Sequence, residues 1–112
     1  MSTAIITNLE KLLGGPRDGA LLRYSLGNEH LKAGDFEQAA RHLRAAIEAD
    51  ASYSAAWKLL GKALSEGSHP EEALAAYEHG ILVAEGKGDL QAAKEMRVFA
   101  RRVQQQLAAP DR

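Results

Sequence analysis

Apolar side chains recur at intervals of three and four along most of the chain, and no stretch alternates apolar with polar over a strand's length, so the pattern predicts helices throughout. The clearest stripes lie in residues 54–84. Trp57, Leu60, Gly61 and Leu64 share one face, and Ala73, Tyr77, Ile81 and Ala84 share another. Between them Gly67-Ser68-His69-Pro70 breaks the helical period as a turn does. Two helices joined by so short a link pack antiparallel.

The remaining segments follow the same rule. Leu22, Leu26, His30 and Ala33 mark a helix that Asp18 is placed to cap and Gly34 to end. Asp35 opens the next, with Gln38 in the capping-box position and Phe36, Ala39, Leu43, Ala46 and Ile47 on its apolar face. A short amphipathic helix is expected over residues 2–13, with Ser2 or Thr3 as N-cap, Ile5, Ile6, Leu9, Leu12 and Leu13 on one broad face, and Gly14-Gly15-Pro16 as its end. Three roles fit it: covering the first hairpin, docking into a groove, or burying its face against a second copy of the chain. A last helix is expected over residues 89–108. It carries Leu90, Ala93, Met96, Phe99, Ala100, Val103 and Leu107 inward and Lys94, Arg97, Arg101, Arg102, Gln104 and Gln105 outward. From Ala108 onward, with Pro110, the chain is expected to fray.

The two hairpins repeat each other. Thirty-four residues on, Leu26 recurs as Leu60, Gly27 as Gly61, Ala39 as Ala73, Leu43 as Tyr77 and Ile47 as Ile81. An aromatic residue, a Leu-Gly pair and an apolar position on the first helix, then Ala, an aromatic and a small residue on the second, resemble the tetratricopeptide repeat family. Trp57, Leu60, Gly61, Ala73, Tyr77 and Gly80 match that pattern in residues 54–87, with Leu64 where the family usually has tyrosine. Residues 20–53 match less fully, since Arg23 replaces the tryptophan and His30 the tyrosine. The family's closing proline is absent from both copies, where Ala51 and Glu85 stand. The resemblance implies one all-α domain over residues 1–112, an antiparallel helix-hairpin solenoid of two repeats, 20–53 and 54–87. The helix at 2–13 flanks it, and the helix at 89–108 caps the apolar end that a solenoid leaves open.

Composition narrows the function classes. The 112 residues are 46% hydrophobic and 26% charged but only 5% aromatic, with a net charge of -1 and no cysteine. That excludes disulfides, a thiolate nucleophile and a Cys-based zinc site, and gives no overall basic field for nucleic acid or an anionic membrane. No apolar run reaches the length of a membrane span, and no signal-like block opens the chain, so a cytoplasmic protein is expected. His30, His42, His69 and His79 are scattered without metal-ligand spacing, and His30, in the place of a core tyrosine, reads as structural. The glycine pairs sit at helix ends rather than after strands, so no phosphate loop is present. No catalytic residue, metal or cofactor is expected, and the protein reads as a non-enzyme.

The strongest charge signal is Lys94, Arg97, Arg101 and Arg102, three of which share a helical face. Lacking interleaved aromatics, it reads as a solvated face before a nucleic-acid surface. The resemblance points elsewhere, to a concave groove lined by the first helix of each repeat. Its usual contact positions fall on Leu21, Tyr24, Asn28, Leu31 and Lys32 in the first repeat and on Ala55, Lys58, Lys62, Ser65 and Glu66 in the second. Asn28 and the two lysines look similar to part of the family's carboxylate clamp, although Tyr24 stands where that clamp has its first lysine. The expected function is therefore a protein- or peptide-binding scaffold or adaptor. The alternative is a structural module that self-associates through its terminal helices.

Overall fold

The computed structural model describes residues 2–109, Ser2 by its backbone only. Six helices follow one another: α1 Ser2–Glu10, α2 Ala20–Lys32, α3 Phe36–Ala49, α4 Ser54–Glu66, α5 Pro70–Lys87 and α6 Leu90–Ala108. The described residues contain no strand. Within hairpins α2 packs on α3 and α4 on α5, while α3 on α4 and α5 on α6 join one hairpin to the next. Successive first helices also touch, α2 with α4 and α4 with α6, whereas α3 and α5 do not approach each other closely. A stack that closes on one side and splays on the other is a curved solenoid with α2, α4 and α6 on its inner face.

Small residues set the helix spacing. A β-carbon on Gly27 would lie 2.5 Å from Leu43 Cγ, and one on Gly61 would lie 2.4 Å from Tyr77 Cε1. The internal repeat is thus a repeated packing contact, with leucine in the first copy where the second has tyrosine. Gly80 makes the corresponding gap for the last helix, holding Met96 Sδ 2.6 Å and Trp57 Cβ 2.7 Å from where a β-carbon would stand. Two buried clusters result. One gathers Leu31, Leu43, Leu60 and Leu64 between the hairpins, and the other gathers Tyr77, Ala84, Met96 and Val103 under α6. Trp57 packs against both, stacks on His79 with ring centroids 4.2 Å apart, and donates its Nε1–H to the Ala51 carbonyl at 2.9 Å.

Several local expectations need correction. Asp18 does not cap α2: Gly19 precedes that helix without a side-chain cap, and the Asp18 carboxylate instead accepts from Gly14 N–H at 2.9 Å and from Arg23 Nε at 3.0 Å. The Arg23 guanidinium, with the Gly14 N–H, holds the Asp18 carboxyl below its ordinary value of 3.8. Arg23, where the repeat pattern has tryptophan, therefore tethers the α1–α2 link. Helix α1 ends at Glu10 and continues as turns to Leu13, and both Ser2 and Thr3 lie inside it rather than at its cap. Leu90 is 69% exposed at the start of α6 and Leu107 is exposed near its end. The rest of the expected inward face of α6 holds: Ala93, Met96, Ala100 and Val103 are buried, joined by Ala92, and Phe99 packs against them half-buried. Of the segment expected to fray from Ala108 onward, Ala108 is the last helical residue and Ala109 the C-cap, and the remainder from Pro110 lies outside the described residues.

The missing prolines have structural replacements. At the first closing position the Asp50 carboxylate accepts from Ser52 N–H at 3.0 Å and from its hydroxyl at 2.7 Å, which bends the chain without proline. At the second, Glu85 lies within α5, which runs on to Lys87 before Gly88 ends it at φ +76. Glu85 then accepts from Arg97 of α6.

The hairpin turns differ in strain. Gly34 sits at φ +79 after α2, where its N–H donates to the Leu31 carbonyl and Asp35 N–H to that of His30. In the second hairpin the same pair of bonds is made by Ser68 and His69, so Ser68 carries the left-handed conformation at φ 67. Gly67, one residue earlier, instead serves a close approach, with Ala63 O 2.9 Å and Phe36 Cβ 3.1 Å from where a β-carbon would be. A serine in this region is strained by about 1 kcal/mol, part of which glycine returns as unfolded-chain entropy. Ser68→Gly should therefore raise the urea midpoint by a few tenths to about 1 kcal/mol of stability. A lower midpoint would show that the turn is relaxed with serine.

His30 of α2 and His42 of α3 stack with centroids 5.4 Å apart, and both are buried. His30 Nε2 and His42 Nδ1 have no hydrogen-bond partner. Burial, followed by the charges of His30 and Arg23, pushes His42 below its ordinary 6.5. The unfolded chain therefore binds more protons below that value. Stability is intact above about pH 6.5 and is lost as pH falls through the lowered folded value. Urea unfolding at about pH 7.5 and about pH 5.5 should show this loss, and His42→Leu should shrink it. An equal loss in the variant would place the acid sensitivity elsewhere.

Candidate functional site

The inner face brings most of the expected residues to one side. On α2, Leu21 is exposed, and Tyr24 is half-buried against the core and stacked on Tyr53 at 4.9 Å. Asn28, one turn on, is half-buried, and Lys32 is exposed and paired with Glu29 at 3.2 Å. Leu31 is the exception. It is only 8% exposed and packs among Leu43, Leu60 and Leu64, so it supports the groove from beneath and offers a ligand almost no surface. On α4, Ala55 and Ser65 are half-buried, and Lys62 is exposed with Glu66 at 4.0 Å. Lys58 Nζ reaches across to α6 and meets Glu95 Oε1 at 2.7 Å.

That ion pair marks a concavity of about 470 Å³ between α4 and α6, within the size range of ligand pockets. Its apolar lining comes from Leu59 and Tyr77 on one side and Phe99 and Val103 on the other. Lys58, Lys62 and Arg102 stand along it with Glu66 and Glu95. Lys58, and then Gln91 at 3.2 Å, hold the Glu95 carboxyl below its ordinary 4.5. Burial pushes the Tyr77 phenol up to about 12, so it remains neutral and able to donate.

Sequence reasoning missed the α6 wall. Phe99, expected inward, packs against the cluster under α6 and lines the groove as well, and Arg102, expected on an outward basic face, also lines it, 5.8 Å from the Phe99 ring centre. Their spacing of three, continued by Gln106, was the available signal. The basic cluster is consequently divided. Arg97 is paired with Glu85 and Arg102 faces the groove, while Lys94 and Arg101 are exposed. A second, shallower hollow of about 640 Å³ lies by the hairpin turns, where Arg44 pairs with Glu72 at 2.8 Å. Among the described residues no group of three metal-ligating side chains comes together, and no helix is long and apolar enough to cross a membrane.

Comparison with known proteins agrees with this architecture. The sequence profile described as "Tetratricopeptide repeat" matches residues 24–89. A TPR repeat-containing protein of Pseudomonas aeruginosa is 48% identical over 99 residues, which cover 88% of this chain and 94% of that one. The solution structure of a Bordetella parapertussis protein superposes with a TM-score of 0.80 at 40% identity, covering 91% of this chain and 89% of the other. The crystal structure of a tetratricopeptide repeat domain protein from Salinibacter ruber gives 0.71 at 25% identity, covering 78% and 97%.

Proposed function

Since the chain belongs to the tetratricopeptide repeat family, whose fold generally mediates protein–protein interaction, we propose that it is a cytoplasmic, non-catalytic adaptor that binds a protein or peptide in the groove of α2, α4 and α6. The observation that carries this reading is the concavity between α4 and α6, where an apolar floor and a charged rim face outward together. Tyr24 and Leu21 supply apolar contact, and Asn28, Lys58 and Lys62 supply polar contact, the first lysine only when its bond to Glu95 yields. Leu31 has no direct part. A groove this short buries a modest area, and a linear segment should bind with a Kd on the order of micromolar.

The test is affinity capture with the intact chain and with an Asn28→Ala, Lys62→Glu, Arg102→Glu variant. These side chains leave the core untouched, whereas Tyr24→Ala would open it and Lys58→Glu would face Glu95. A partner lost only by the variant supports the adaptor reading, and a partner held equally by both refutes the groove assignment. A second reading is favoured by Ile5 on α1 and Leu12 in the turn that follows α1, which remain 46% and 37% exposed. Self-association through that helix predicts a concentration-dependent mass that Ile5→Glu abolishes.

A further inference from the structure

The first hairpin carries histidines where the second carries apolar residues. Thirty-four residues on from His30 and His42 stand Leu64 and Ala76. Those two lie in the buried cluster that joins the second hairpin to the first. In the first hairpin the layer on that side is α1, which stands to α2 as α3 stands to α4 and packs against no other helix. The seam beneath α1 is therefore lined by an imidazole pair, stacked at 5.4 Å, with His30 Nε2 and His42 Nδ1 buried and unpartnered. Neutral rings tolerate such a place, whereas an imidazolium needs water or an acceptor for each N–H.

The surrounding charges do not supply that acceptor. His42 faces His30 and Arg23 from α2, Arg41 from its own helix, Glu10 from α1 and Asp18 from the link. Asp18 is committed to Arg23 at 3.0 Å, and Glu10 is an exposed residue at the end of α1. Asp35 lies 3.9 Å from His30 Nδ1, beyond hydrogen-bond reach, and its carboxylate caps α3 by accepting from Gln38 N–H. A proton taken up here must be met by water, and α1 is the layer that yields most easily. None of its described side chains is buried, and Ile6 and Leu9 are only half-buried, so opening there costs less than parting the hairpins.

We propose that α1 is an acid-released latch: uptake of a proton by the stacked histidine pair frees α1 from the first hairpin while the later helices stay folded, baring Ile6 and Leu9 beside the exposed Ile5. The device lies outside the groove and does not depend on what binds there.

Backbone hydrogen exchange of the intact chain at about pH 7.5 and about pH 5.5, with each rate divided by that of an unstructured chain at the same pH, tests it. Protection of residues 6–11, whose amides bond within α1 and its first turn, should fall by up to about tenfold in acid while that of α4 and α5 holds. His30→Leu with His42→Ala gives the first hairpin the pair that the second already uses, and should keep residues 6–11 protected at both pH values. His42→Ala alone makes the same test with a smaller change to the core. Equal protection of residues 6–11 at the two pH values, or none at either, would overturn the latch. So would a fall shared by every helix, or one that persists in the folded variants.

Discussion

Met96→Ala should lower the stability of the chain by about 2–5 kcal/mol. Met96 is fully buried, and its sulfur fills the hollow that Gly80 leaves beside Trp57. It is the main contact through which α6 holds to the second hairpin, in a cluster whose other members are mostly alanines and therefore small. Truncation removes the transfer energy of the side chain and leaves a cavity that the rigid Trp57 backbone side cannot close. Against a total of about 5–15 kcal/mol for a domain of this size, the variant should unfold at markedly lower urea. A cost below about 1 kcal/mol would mean that α6 is not docked as described. Because α6 forms one wall of the groove, the same substitution should also weaken any ligand bound there.

Gly61→Leu, at a buried glycine of the repeat pattern, is expected to cost about 1–3 kcal/mol or more. Even a β-carbon at this position would stand 2.4 Å from the Tyr77 ring, and a leucine brings three further carbons into the same space. The ring cannot retreat freely, since it is 3% exposed and tilts against Phe99 at 5.7 Å. The diagnostic is non-additivity. Tyr77→Ala alone should also destabilise, yet Gly61→Leu with Tyr77→Ala should cost less than the two single variants together, because each relieves the clash or void of the other. Strict additivity would show that the glycine is not there to admit the ring.

Fold and site differed in how far the sequence disclosed them. Helical periodicity is imposed by burial, so Leu26, Leu43, Leu60 and Tyr77 announce their faces, and the glycines opposite them announce the close approaches. Helix ends depend on a few local bonds, and there the reading held where Asp35 and Asp89 cap α3 and α6 but failed elsewhere. Asp18 has the residue type of a cap but a better partner in Arg23, and Glu85, without proline, simply let α5 continue. The groove was half legible. Tyr24, Asn28, Lys58 and Lys62 followed from the contact positions that the family resemblance implies, while Leu31, from the same set, is consumed by the core. The α6 wall was illegible for a different reason: whether Phe99 and Arg102 face a core, solvent or a groove depends on how α6 sits on α4, which no local pattern encodes.

A partner is proposed to dock on the inner face of α2, α4 and α6. Backbone amide shifts of the labelled chain, followed as a segment of the captured partner is added, test it most directly. Changes should concentrate around Asn28, Lys62, Glu95 and Arg102 and be absent from the outer sides of α3 and α5. Changes confined to those outer sides, or to α1, would contradict it.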